Sequence, residues 1–222
     1  MDIHKPKPWH GWREFLKEIG TIVIGVLIAL GAEQAVELVH AQAELSETRE
    51  ALRQEIAENA GTTALGAAQD HCRDARADLQ LAWARGGPKP ELRPSRLTNM
   101  VFSAWDVAKA GPLAKMPVKE RLTYSRLYDA FAAQEVNITN QMNELLETSK
   151  YTGLDTLGPD QAQRLMELLN RARTTRAVKA VAAAEVLSAV KALNIHPEPP
   201  TEESRRALSD LCKAAGVPSP AL

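Results

Sequence analysis

The side chains able to carry chemistry in this chain are few and scattered. Histidines stand at His4, His10, His40, His71 and His196, and cysteines at Cys72 and Cys212. No HExxH occurs and no two histidines lie four apart, so the helical zinc-ligand spacing is missing. His71 adjoins Cys72, but neighbouring residues on a helix point about 100° apart, which keeps both from sharing one ion. Neither cysteine belongs to a CxxC pair, and neither sits in a nucleophile motif. Two readings of the cysteines stay open: a disulfide joining Cys72 to Cys212 if the body of the protein lies outside the cytoplasm, or two small buried thiols on helix faces. "GGPKP" at 86–90 has the glycines of a phosphate loop but opens no helix. The sequon "NIT" at Asn137 falls inside an amphipathic run and reads as chance. "RARTTR" at 171–176, with Lys179, is a basic patch whose ordinary reading is a solvated helix face, an acidic partner or lipid headgroup being the second. No catalytic constellation, cofactor site or metal site emerges, and the chain is not expected to be an enzyme.

What the residues do specify is placement. "EIGTIVIGVLIALGAEQ" at 18–34 holds fourteen uncharged residues between Glu18 and Glu33. As a helix these cover roughly 21 Å of a hydrocarbon core of roughly 30 Å. Phe15 and Leu16 lengthen the run backward, with Lys17 able to snorkel; Ala35, Val36, Leu38 and Val39 lengthen it forward past Glu33 and Glu37. Trp9 and Trp12 stand where an interfacial aromatic belt would lie, with Lys17 and Glu33 marking the two edges. Ile19, Ile22, Val23, Ile24, Val26, Leu27, Ile28 and Leu30 together favour insertion by roughly 2 to 5 kcal/mol, so the charges must sit at the edges of the span. A transmembrane signal anchor over 15–36 meets that condition. A soluble helix enclosed on every side is the first rival, and a signal peptide cleaved near "ALG" at 29–31 the second. The helical pattern runs on through that site without a break, which favours the uncleaved anchor.

Lys5, Lys7, Arg13 and Lys17 precede the span, and no Lys or Arg occurs from Ala32 to Thr48. The positive-inside rule then places 1–14 as a cytoplasmic tail and the body outside, the periplasm if the cell is bacterial and the membrane its inner one. Thr21, Gly25 and Ala29 recur every fourth residue, a row of small side chains through which two spans can pack. A homo-oligomer or a membrane-complex partner is the expected occupant of that face.

Beyond the span, apolar residues return at helical spacing: Leu38, Leu45, Leu52, Ile56, Leu65, Ala68, Cys72, Ala75, Leu79 and Ala82. Either one kinked helix reaches about Arg85, or two helices meet near Gly61. Further helices are expected from Ser95 to Ala110, from Val118 to Tyr151, from Pro159 to about Asn194 and from Thr201 to Ala215, separated by glycine- and proline-bearing loops. No strand pattern appears, and aromatic residues make up only 5% of the chain, which suits closely packed helices. The expected fold is all-α: one N-terminal transmembrane helix continuing into an antiparallel helical bundle over 37–215, with a tail at 216–222. With 27 basic against 28 acidic residues, nucleic acid is not an expected partner.

"WREFLKEIGTIVIGVLIALGAEQ", from Trp12 to Gln34, resembles the N-terminal signature of a family of uncharacterised bacterial proteins, grouped as a domain of unknown function. The resemblance implies a single N-terminal span and no established activity. The expected function is a membrane-anchored extracytoplasmic helical protein acting through protein contacts, as a scaffold or accessory subunit. A periplasmic sensor-like bundle enclosing a small molecule is the alternative, and a soluble all-α protein with a buried N-terminal helix the third.

Overall fold

The structure, a computed structural model, describes residues 11–91 and 99–221. Five α-helices and one 3-10 turn account for the regular structure, with no strand among the described residues. The fold is all-α. The first helix, α1 (Gly11–Ala84), is continuous through Gly61, so neither a helix break nor a pair of helices is needed there. The chain divides between Glu47 and Thr48 into two units.

In the first unit α1 carries the apolar segment. An 18-residue window, long and apolar enough to cross a membrane, has none of its residues buried. Ile28, near its centre, is 68% exposed. The one hydroxyl in the run is satisfied within the helix, where Thr21 Oγ1 donates to the Lys17 carbonyl at 2.9 Å. Trp12 is exposed and lies against Phe15 with ring centroids 5.8 Å apart. Trp9 and most of the expected cytoplasmic tail lie outside the described residues.

The second unit packs α1 from Thr48 onward with α2 (Ser103–Lys109), the 3-10 turn (Pro112–Lys115), α3 (Val118–Ser149), α4 (Pro159–Ala192) and α5 (Glu202–Ala214). The boundaries follow local chemistry. Gly86, at φ +95°, closes α1 in the left-handed region, its N–H donating to the Trp83 carbonyl. Pro159 occupies the first turn of α4, and Gln161 Oε1 accepts from the Gly158 N–H at 2.9 Å. Thr201 caps α5 by accepting from the Ser204 N–H. At the far end of α4, Arg53 donates to the carbonyls of Leu193 and Asn194, groups that a helix end otherwise leaves unsatisfied.

Cross-helix pairs give the directions. Arg49 meets Glu120, Glu55 meets Tyr128 and Asp70 meets Gln141, so α1 and α3 run the same way. Asp70, Asp74 and Asp78 meet Lys179, Arg176 and Arg173, so α4 runs antiparallel to both. Val101 and Ser103 bond Asn59 and Glu55, well before the end of α1, so α3 starts back along α1 and the first two long helices are parallel, although neighbouring helices joined by short loops alternate.

Two details differ from the sequence reading. The helix expected from Ser95 starts only at Ser103: residues 99–102 are not helical, and Ser95 itself lies outside the described residues. The reason is that the backbone here is claimed by side chains. The Asn59 amide accepts from the Val101 N–H and donates to the Val101 carbonyl, while Glu135 accepts from the Met100 N–H. Leu79, placed on the inner face by its spacing, is 40% exposed, and Leu38 is exposed as well. Inner positions toward the end of α1 are taken by Ala77, Leu81 and Trp83, which pack on Leu165 and Leu169 of α4.

Candidate functional site

The most developed polar structure in the molecule is a ladder of opposite charges between α1 and α4. Asp70, Asp74 and Asp78 recur every fourth residue; Arg173, Arg176 and Lys179 recur every third. Both spacings keep a stripe on one helix face. Antiparallel packing brings the stripes into register. Lys179 Nζ lies 2.9 Å from Asp70 Oδ2, Arg176 Nε lies 2.7 Å from Asp74 Oδ1, and Arg173 pairs with Asp78 at the exposed end. This corrects the reading of the basic patch as a solvated face at two of its residues, while Arg171 stays exposed. Arg176 and Lys179 are only 7% and 5% exposed. They point inward because α1 offers each a carboxylate at the matching height, without which a buried cation is untenable.

Asp70 is the hub. Besides Lys179 it accepts from Arg73 Nη1 at 2.8 Å and from Gln141 Nε2 at 3.0 Å, and Gln141 Oε1 in turn accepts from Lys179 at 3.1 Å. Burial pulls the Lys179 ammonium and the Arg73 guanidinium below their usual values, with Asp70 acting in the opposite direction on each.

Beside this hub a cavity of about 40 Å³ opens between α1, α3 and α4, with Arg73, Arg76 and Arg176 in its wall together with Gln141, Glu144 and Thr148. Arg176 spends Nε on Asp74, while its Nη2 is buried with no hydrogen-bond partner among the described residues. Burial pushes the Glu144 carboxyl above the usual carboxylate range, against the pull of Arg176 and a hydrogen bond with Thr175.

A second buried carboxylate is Glu55, 4% exposed on α1. Its oxygens accept from the Ala104 N–H at 2.7 Å, the Trp105 N–H at 3.0 Å, the Ser103 hydroxyl at 3.1 Å and the Tyr128 hydroxyl at 2.7 Å. It serves as a cap for α2 supplied from another helix, and the first-turn amides of α2 stabilise its charge. Tyr128, stacked on Trp105 at 4.4 Å, is held far above its usual pKa, first by burial and then by its bond to Glu55.

The residues singled out by sequence fall as follows. Cys72 of α1 and Cys212 of α5 are joined in a disulfide, their Cα atoms 4.8 Å apart, inside a cluster with Leu65, Ala68, Leu208 and Leu211. His71 is exposed on the neighbouring face. No group of three metal-ligating side chains occurs among the described residues. Thr21, Gly25 and Ala29 lie exposed along α1, as do Lys17 and Glu33. Between α3 and α4 lies an open cleft of about 500 Å³ walled by Ala130, Ala133, Ala182, Val186 and Ala189, with Arg126 and Glu185 beside them. The sequence reading missed the ladder, the arginine cavity and the Glu55 cap. Its usable signal for the ladder was the pair of opposite-sign stripes on α1 and α4.

No protein-family model, no curated protein and no solved structure matches this chain.

Proposed function

We propose that this protein is a membrane-anchored helical bundle whose body is extracytoplasmic and acts through protein contacts, as a scaffold or accessory subunit of a membrane complex. The observation that carries the reading is the exposed apolar segment of α1, whose membrane-length window has no buried residue. Left in water, such a surface costs about 25 cal/mol for every Å² of apolar area, and a bilayer removes that cost. Basic residues before the segment and acidic ones after it support the orientation. The Cys72–Cys212 disulfide supports an oxidising compartment for the body. Two features support contact with other helices: the small-residue row of Thr21, Gly25 and Ala29, and the alanine-walled cleft between α3 and α4, which lets another backbone approach closely.

Purification in detergent followed by mass measurement of whatever co-purifies tests the reading. Stable stoichiometric protein partners are the expected result; a lone chain carrying a small molecule would overturn it in favour of the sensor-like bundle. That second reading has one observation on its side, the arginine-walled cavity among α1, α3 and α4. Reporter fusions at each terminus test the topology, and an exported N-terminus would reverse the orientation.

A further inference from the structure

We infer that the outer face of α4 binds a second copy of this chain, the two α4 helices pairing antiparallel about a two-fold axis beside Val178. The inference rests on the protein-contact reading above and names its partner.

Apolar exposure is the first ground. The stripe of α4 that faces the core, from Leu165 to Val190, is buried. On the opposite side Ala177, Val178, Val181 and Ala184 are exposed, Val178 by 66% and Val181 by 63%. A helix that is apolar on both sides needs cover on both, and α4 has it on one. A shallow groove runs along the uncovered face past Val181, Ala184 and Ser188.

Spacing is the second ground. From Glu167 to Lys191 exposed residues recur at alternating steps of three and four, which is the seam of a coiled coil. Charge is the third ground, and it selects the direction. Laid antiparallel, the seam pairs unlike groups at every level. Val181 meets the partner's Ala177, and Ala184 meets the partner's Thr174. Further out Ser188 meets the partner's Asn170, and at the ends Lys191 meets the partner's Glu167. Large faces small, hydroxyl faces amide, and cation faces anion. On the flank, Arg171 and Glu185 stand one heptad to either side of Val178, so each meets its opposite in the partner. Neither forms an ion pair among the described residues, although Arg171 feels the field of Glu144 on α3. Laid parallel, the same face would set Glu167 against Glu167 and Lys191 against Lys191, like charges that oppose pairing.

The test is sedimentation equilibrium of the full-length chain in density-matched detergent, where a dimer is expected. Glu185→Arg exchanges two ion pairs for two like-charge contacts and should weaken that dimer by about tenfold or more. Adding Arg171→Glu to it should restore the affinity, and both side chains are exposed, so neither change disturbs the core. Val178→Cys should form an intermolecular disulfide on mild oxidation, since the native cysteines are already paired, whereas Val107→Cys, exposed on α2, should not. A monomer, or a dimer indifferent to Glu185→Arg, would overturn the inference. A monomer that still co-purifies with other proteins would overturn it while leaving the protein-contact reading intact. A charge-sensitive dimer with no other protein bound would support it and tell against a larger complex.

Discussion

At the scale of single residues, three positions carry consequences that geometry makes specific. Glu55 answers two backbone amides and two hydroxyls at once. Glu55→Ala leaves the buried Trp105 N–H and Tyr128 hydroxyl without an acceptor, and should lower unfolding free energy by about 3–5 kcal/mol in urea titration, while Glu55→Gln, which keeps one oxygen, should cost less. Gly61 looks like a weakness in a helix but is a requirement: a Cβ there would lie 2.3 Å from the Glu198 carbonyl oxygen, in the segment that donates the Glu198 N–H to Ala57. Gly61→Ala should destabilise by about 1–3 kcal/mol despite the better helix propensity of alanine. Gly66→Ala meets only the end of the Lys179 side chain, at 3.5 Å, and should be neutral or mildly stabilising, so equal losses at both positions would sink this account. Glu144 has its folded pKa raised by burial. An acid shifted this way binds its proton more tightly in the fold than in the unfolded chain. Its contribution to stability is therefore full below the ordinary value of 4.5 and lost as pH rises through the folded value. Glu144→Gln should gain on the native chain as pH rises above 4.5, read from the difference in denaturation midpoints, and a flat difference would count against it.

At the scale of elements, α4 is oriented by charge as much as by apolar burial, and the rungs of its ladder are unequal. Asp70 is buried and serves Arg73, Gln141 and Lys179, whereas Asp78 and Arg173 pair in solvent. Asp70→Asn should cost about 3–5 kcal/mol and Asp78→Asn under about 1 kcal/mol, because only the first strands cations away from water. The short helix α5 has a different tether. Its disulfide closes a loop of 140 residues back to α1, which in the chain-entropy model corresponds to about 5 kcal/mol. Thermal unfolding with and without reductant should show the reduced protein melting lower. A matching midpoint would mean that Leu208 and Leu211 hold α5 without help.

At the scale of the whole molecule, the unresolved demand is the apolar stretch of α1. Its eight strongly apolar side chains favour insertion by roughly 2 to 5 kcal/mol, and each lysine near a span centre opposes it by roughly 3 kcal/mol. Val23→Lys with Leu27→Lys should therefore move the protein out of the membrane fraction, while Val23→Leu with Leu27→Ile should leave it there. Retention of the lysine variant in carbonate-washed membranes would contradict the anchor. Exposed apolar side chains elsewhere, among them Leu122 and Val136 on α3 and Val178 and Val181 on α4, give the body surfaces of the kind that protein partners cover.

What the chain alone determined is local. The all-α class, the apolar run of 18–34 and the ends of α3, α4 and α5 follow from helical period, proline, glycine and capping residues acting within a turn or two of themselves. The tertiary structure decided whatever depends on residues far apart in sequence. Arg176 and Lys179 of α4 turned inward because Asp74 and Asp70 on α1 wait at matching heights, some one hundred residues away along the chain. Residues 99–102 stayed out of the helix because Asn59 and Glu135 take the backbone bonds of Val101 and Met100. Charge pairing and the capping of one helix by another are free energies of proximity, and proximity exists only after the chain has folded.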